Sequence, residues 1–202
     1  MANNGKYNSG EWTNKETYTT ISVKEEISGI PEMYYSTDKQ NWTKLDFGKS
    51  NGIYQELNKY LGKETWTLKD ARVEDIYFRA KDKAGNYSNI SSVYELRYDL
   101  TAPSKPVIEN HSDNNWTNKE VEIIAKSSDS LSKVSKIEYS YDEINWKTDW
   151  QGNLQTNGNE TSISGTWNNN INGKIYIRAT DNAGNISETS YTTLKQDLIA
   201  PT

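Results

Sequence analysis

The sequence predicts an all-β protein of two tandem β-sandwiches, and three observations carry that expectation. Apolar residues alternate with polar ones in short segments. Asn, Asp, Gly and Ser punctuate those segments at regular intervals. The whole pattern then occurs twice. A period of two marks strands with one buried face, and short strands at regular spacing mark a sandwich.

The repeat is read from four motifs in one order. "WTNKE" stands at 12–16 and 116–120, and "YSTDKQNW" at 35–42 answers "YSYDEINW" at 139–146. "IYFRAKDKAGNYS" at 76–88 answers "IYIRATDNAGNIS" at 175–187, and "DLTAP" at 99–103 answers "DLIAP" at 197–201. The first two motifs recur 104 residues later, and the last two recur 99 and 98 residues later. The second copy is therefore shorter by about five residues between its middle and later motifs. Domain boundaries are expected at 1–100 and 101–202, with "DLIAPT" as the start of a further repeat.

Strands follow from the alternation. Val121, Ile123 and Ala125 form one buried row, Ile137 and Tyr139 another, and Ile175, Ile177 and Ala179 a third. The first copy keeps Ile76, Phe78 and Ala80. The stretch "GIYQELNKYLGKE" at 52–64 fits a short helical turn about as well as a strand. Ile53, Leu57, Tyr60 and Leu61 fall at helical spacing there.

The repeated polar motifs read as turns. In "AKDKAGN" and "ATDNAGN", Gly85 and Gly184 can take positive φ without Cβ strain. Asp82 and Asp181 can accept backbone N–H groups. The expected product is a hairpin between the last two strands of each copy. In the "YSxDxxNW" motifs Asp38 and Asp142 open a second hairpin turn, and Asn41 and Asn145 close it. Trp42 and Trp146 are expected to pack back on the sheet. Trp12 and Trp116 are expected to close one end of each core, and Trp66 and Trp167, which align as "TW" in the two copies, are read the same way. Trp150 lacks a counterpart in the first copy, so it is expected to be exposed. With Tyr141, Trp150 is the candidate for a ligand-stacking surface, and Tyr34, Tyr77 and Tyr176 fall on predicted outer faces.

Composition narrows the function. Hydrophobic residues make up 33%, but the chain has seven Trp and fourteen Tyr, which bury large areas each. There is no cysteine, which removes disulfides and thiolate metal sites. The net charge is −5 with no basic block, which argues against nucleic acid and anionic membrane as partners. No apolar run approaches the ~20 residues of a membrane span. The one histidine, His111, has no nucleophile or metal pattern around it, so no enzyme activity is expected. No cofactor is expected apart from calcium. Calcium wants six to eight oxygens, and Asp82, Asp99, Glu109 and Asp113 near the junction are its weak candidate ligands.

Together "WTNKEVEI", "IEYSYDEINW", "IYIRATDNAGNIS" and "DLIAP" resemble the bacterial immunoglobulin-like modules that repeat in surface and secreted proteins of Gram-positive bacteria. The resemblance covers roughly residues 6–202. It implies two tandem immunoglobulin-like or fibronectin-III-like sandwiches, located outside the cell and non-catalytic. It implies a spacer or stalk whose partners are neighbouring repeats of one longer chain. The alternatives are an adhesin module for a glycan or host surface protein, or an accessory module of a secreted carbohydrate-active enzyme.

Overall fold

A computed structural model describes residues 5–15, 17–18, 20–22, 27, 32–45, 54–56, 72–110 and 115–202. The chain divides into two compact units, Met1–Asp99 and Leu100–Thr202. The first holds strands β1 (Gly5–Lys6), β2 (Trp12–Thr13), β3 (Thr17–Tyr18), β4 (Thr20–Ser22), β5 (Glu32–Ser36), β6 (Thr43–Lys44), β7 (Tyr54–Glu56), β8 (Arg72–Lys81) and β9 (Tyr94–Tyr98). The second holds β10 (Val107–Glu109), β11 (Trp116–Thr117), β12 (Val121–Ser128), β13 (Val134–Ser140), β14 (Gln155–Asn157), β15 (Glu160–Trp167), β16 (Ile171–Asp181) and β17 (Ser190–Gln196).

The second unit is two four-stranded sheets, ordered β10-β12-β15-β14 and β11-β17-β16-β13. Relabelled in chain order from A, with β11 as a short extra piece of A, these are A-B-E-D facing A′-G-F-C. That is the immunoglobulin arrangement of an ABED sheet against a GFC sheet. The first unit repeats the second of these sheets as β2-β9-β8-β5-β6, and pairs β4 with β7 antiparallel. The segment at 52–64 thus contributes a strand at Tyr54–Glu56, and its remaining positions lie outside the described residues.

The alternating rows make the cores. Ile123, Ala125, Ile137, Ile175, Ile177, Ala179 and Leu194 face inward between the two sheets of the second unit and are buried to 1% or less. In the first unit Met33, Leu45, Ile76, Phe78, Ala80 and Leu96 pack together with Tyr7. The Tyr7 hydroxyl donates to the Glu95 carbonyl at 3.0 Å and accepts from the Arg97 amide at 2.9 Å. A ring can thus fill a small core because its polar end finds backbone partners on the last strand.

Trp12 and Trp116 do not close the cores. Trp116 is 60% exposed, Trp12 is half-buried, and neither joins a core cluster. Each begins a two-residue strand that pairs parallel with the last strand of its unit, Trp12 opposite Arg97 and Trp116 opposite Lys195. That pairing puts the Trp on the face shared by Arg97 or Lys195, which points away from the core. Trp66 lies outside the described residues, whereas Trp167 is buried.

The repeated turns form as expected. Gly85 has φ 99° and Gly184 has φ 93°. Asp82 Oδ1 accepts the Asn86 amide at 2.7 Å and Asp82 Oδ2 accepts Asn86 Nδ2 at 2.8 Å. Asp181 holds Asn185 in the same way, at 2.8 Å to each oxygen. The serine of the motif has a role the sequence did not disclose. After the turn, Ser187 N–H donates to the Ala179 carbonyl, and the Ser187 hydroxyl accepts the Ala179 amide at 2.9 Å. Ser88 does the same for Ala80. A hydroxyl completes the ladder where the returning chain is irregular. Substituting Gly184→Val forces a β-branched residue to positive φ, and is expected to cost about 1–3 kcal/mol, read as a lower urea midpoint of the 202-residue chain.

Candidate functional site

Trp150 and Tyr141 meet in the second unit, but not as an exposed stacking surface. Trp150 is only 8% exposed. The segment after β13 turns inward and inserts its indole between the sheets, where Nε1 donates to the Ile137 carbonyl at 3.0 Å. Its ring stands edge-on to Tyr139 at 5.4 Å and to Trp167 at 5.5 Å. Tyr141 is 41% exposed, packs edge-on to Tyr139, and accepts a 3.0 Å hydrogen bond from Trp167 Nε1. Absence of a counterpart in the first copy suggested a surface residue; the residue instead fills core volume. Burial, followed by the hydrogen bond to Asp149 Oδ1 at 2.8 Å, pushes the Tyr139 hydroxyl well above the usual tyrosine range.

A cleft of about 50 Å³ lies beside this knot, bounded by Tyr141, Asp149, Trp150, Gln151, Trp167 and Asn169 among others. The rings beside it stand edge-on to one another and are hydrogen-bonded within the unit. The knot is therefore structural. Trp150→Phe removes the donor to Ile137, and is expected to lower stability by about 1–3 kcal/mol, measured by denaturant titration.

Of the carboxylates nominated as calcium ligands, Asp82, Asp99 and Glu109 lie among the described residues. Asp82 lies in its exposed turn, where Asn86 holds it below the usual carboxylate range, first through its side chain and then through its amide. Glu109 pairs with Lys126 at 3.1 Å. Asp113 lies outside the described residues, as does His111. Asp99, in the segment leading to Pro106, is fully buried and its amide donates to the Thr13 carbonyl at 3.0 Å. Asp129 and Asp181, in the second unit, are both buried. Of these two, Asp181 alone is named from the sequence, as a turn residue. Asp129 Oδ1 accepts the amides of Leu131 at 3.0 Å and Lys133 at 2.7 Å.

The outward face of β13, β16 and β17 carries charged and aromatic side chains side by side. Opposite residues in an antiparallel register share a face. Glu138 thus stands beside Arg178, Tyr176 beside Tyr191, Lys174 beside Thr193 and Asn172 beside Lys195. The Glu138 carboxylate is covered by its partners, with Lys136 Nζ at 2.6 Å and Arg178 Nε at 3.0 Å. The Arg178 guanidinium lies 4.0 Å from the centroid of Trp146, the tryptophan that ends the "YSYDEINW" turn. Arg79 and Trp42 repeat this at 4.1 Å in the first unit. The Arg of one repeated motif is therefore stacked by the Trp of another, which accounts for both residues in both copies.

Burial raises the pKa of Glu138, but the hydrogen bonds from Lys136 and Arg178 outweigh it and leave the group below the usual range. A lowered folded-state pKa contributes stability that is present above the unfolded value near ~4.3 and lost as pH falls below it. Glu138→Gln is expected to cost about 1.5–3 kcal/mol at pH 7. The deficit against the parent should shrink as thermal melts are run from pH 6 down to pH 3.

No family model matches the chain, and no curated protein matches it. Among solved structures, the fibronectin(III)-like modules of Clostridium thermocellum CbhA align with 94% of this chain and 91% of theirs, at 15% identity and TM-score 0.44. Domains I67–I69 of titin align with 96% of this chain and 64% of that fragment, at 13% identity and TM-score 0.44. The D00–D0 domain of intimin aligns with 92% of this chain and 97% of its own length, at 11% identity and TM-score 0.40. These are likenesses of fold.

Proposed function

We propose that the chain is a non-catalytic tandem immunoglobulin-like spacer of a bacterial cell-surface or secreted protein, flanked by further repeats of the same kind. One observation carries this reading. The residues that recur in both copies are engaged in holding the sandwich: Asp with Asn in the turns, Ser on the strand amide, Arg beneath Trp. A duplicated unit whose repeated polar side chains serve folding supplies length rather than chemistry. Pro103 and Pro106, between the last strand of one unit and the first of the next, fix φ at two positions of the connection.

The test is surface display. The chain is placed between a bacterial cell-wall anchor and an epitope tag. It should raise antibody access to the tag as much as an unrelated tandem sandwich of equal length does. Access no better than with the anchor alone would count against the spacer reading.

A further inference from the structure

We infer that the outward face of β11, β17 and β16 in the second unit is a binding face for an acidic polysaccharide, one that carries uronic-acid carboxylates along its chain.

Charge is the first ground. The chain is acidic, yet the charged residues at outward positions of β13, β16 and β17 are Lys136, Lys174, Arg178 and Lys195 against a single carboxylate, Glu138. Glu138 uses Lys136 and Arg178. Lys174 is placed differently: its ammonium lies 4.0 Å from the Tyr191 centroid and 5.9 Å from that of Tyr176. The rings hold the cation at the surface without neutralising it. Lys195 lies two residues along the same strand face as Thr193, about 7 Å on.

The repeat supplies the second ground. At the register positions of Lys174 and Thr193, the first unit has Asp75 opposite Glu95. Glu95 is answered there by Arg97 at 2.6 Å. The ring ahead of them is kept, Tyr77 for Tyr176. The same sandwich therefore folds with either sign of charge at this spot. The fold does not require Lys174, and its charge is available for recognition.

Ligand class follows from what surrounds the lysines. Tyr191 is 57% exposed and Trp116 is 60% exposed, at opposite ends of the patch, with the Tyr176 ring 6.0 Å from that of Tyr191. Asn172 and Thr193 lie between them and offer an amide and a hydroxyl. Exposed rings, two separated cations and neutral hydrogen-bonding groups along one sheet face suit sugar rings with intermittent carboxylates. A nucleic acid strand, with a phosphate on every residue, would meet two uncommitted lysines on a chain of net charge −5.

The experiment is a binding titration of the full 202-residue chain with oligomers of hyaluronan and of unsulfated chondroitin, in which a uronate alternates with a neutral sugar. Neutral glucan oligomers and a thymidine oligonucleotide of equal charge serve as comparisons. Binding to at least one acidic oligosaccharide is expected, weakened about tenfold or more between about 50 and 500 mM salt. The double variant Lys174→Asp, Thr193→Glu recreates the first unit's pattern. It should lose that binding at least tenfold with an unchanged melting midpoint. Tyr191→Ala, at an exposed position, should weaken it as well and gives a second readout if the double variant unfolds. Three outcomes would overturn the inference: no acidic oligosaccharide binds, the oligonucleotide binds as tightly, or binding survives in both folded variants.

Discussion

Everything in these two units hangs on one short-range interaction, the clamp between an aspartate and the asparagine three or four residues after it. Among the described residues it occurs four times, at Asp38–Asn41, Asp82–Asn86, Asp142–Asn145 and Asp181–Asn185. In each, one carboxylate oxygen takes the Asn amide N–H and the other takes the Asn side chain. For Asp38 and Asp142 the backbone bond is the larger cause, and it holds the carboxyl far below the usual range. A chain with so few aliphatic residues has little margin for a misregistered strand, because a slip by one residue turns the buried row outward. Fixing the turns fixes the register, and the Ile rows then meet across the core.

The clamp also explains how the copies diverge without losing the fold. The turn carries its own hydrogen bonds, so the strands it joins can change their outward residues freely. The second unit fills its interior with Trp150 and Trp167 around Tyr139, while the first uses Tyr7 and Phe78 beside Tyr94. Large rings in either arrangement supply buried area that short aliphatic rows alone would not. On the outward side, Asp75 and Lys174 occupy one position of the fold with opposite charge.

Much of this was legible in the sequence. Alternation gave the buried rows of β8, β12, β13 and β16, and turn chemistry gave the positive φ of Gly85 and Gly184. These are local properties, set by residues within a few positions of one another. The tryptophans were not legible in the same way. Trp150 was placed outside and lies inside, and Trp116 was placed at the core and lies outside. Where a ring goes depends on which strand its segment pairs with, and the parallel pairing of Trp116 with Lys195 joins residues nearly eighty positions apart. The stacking of Arg178 under Trp146 was likewise hidden, although both belong to repeated motifs.

The two-residue strands at Trp12 and Trp116 have a mechanical meaning. Each ties the beginning of its unit to the last strand by parallel hydrogen bonds, continued by Asp99 N–H to the Thr13 carbonyl and Asp197 N–H to the Thr117 carbonyl. Tension applied through the chain on either side of a unit pulls these paired segments lengthwise past each other. The bonds are then loaded together, in shear, instead of opening one at a time like a zipper. A few hydrogen bonds placed there resist extension better than a longer ladder that peels from one end.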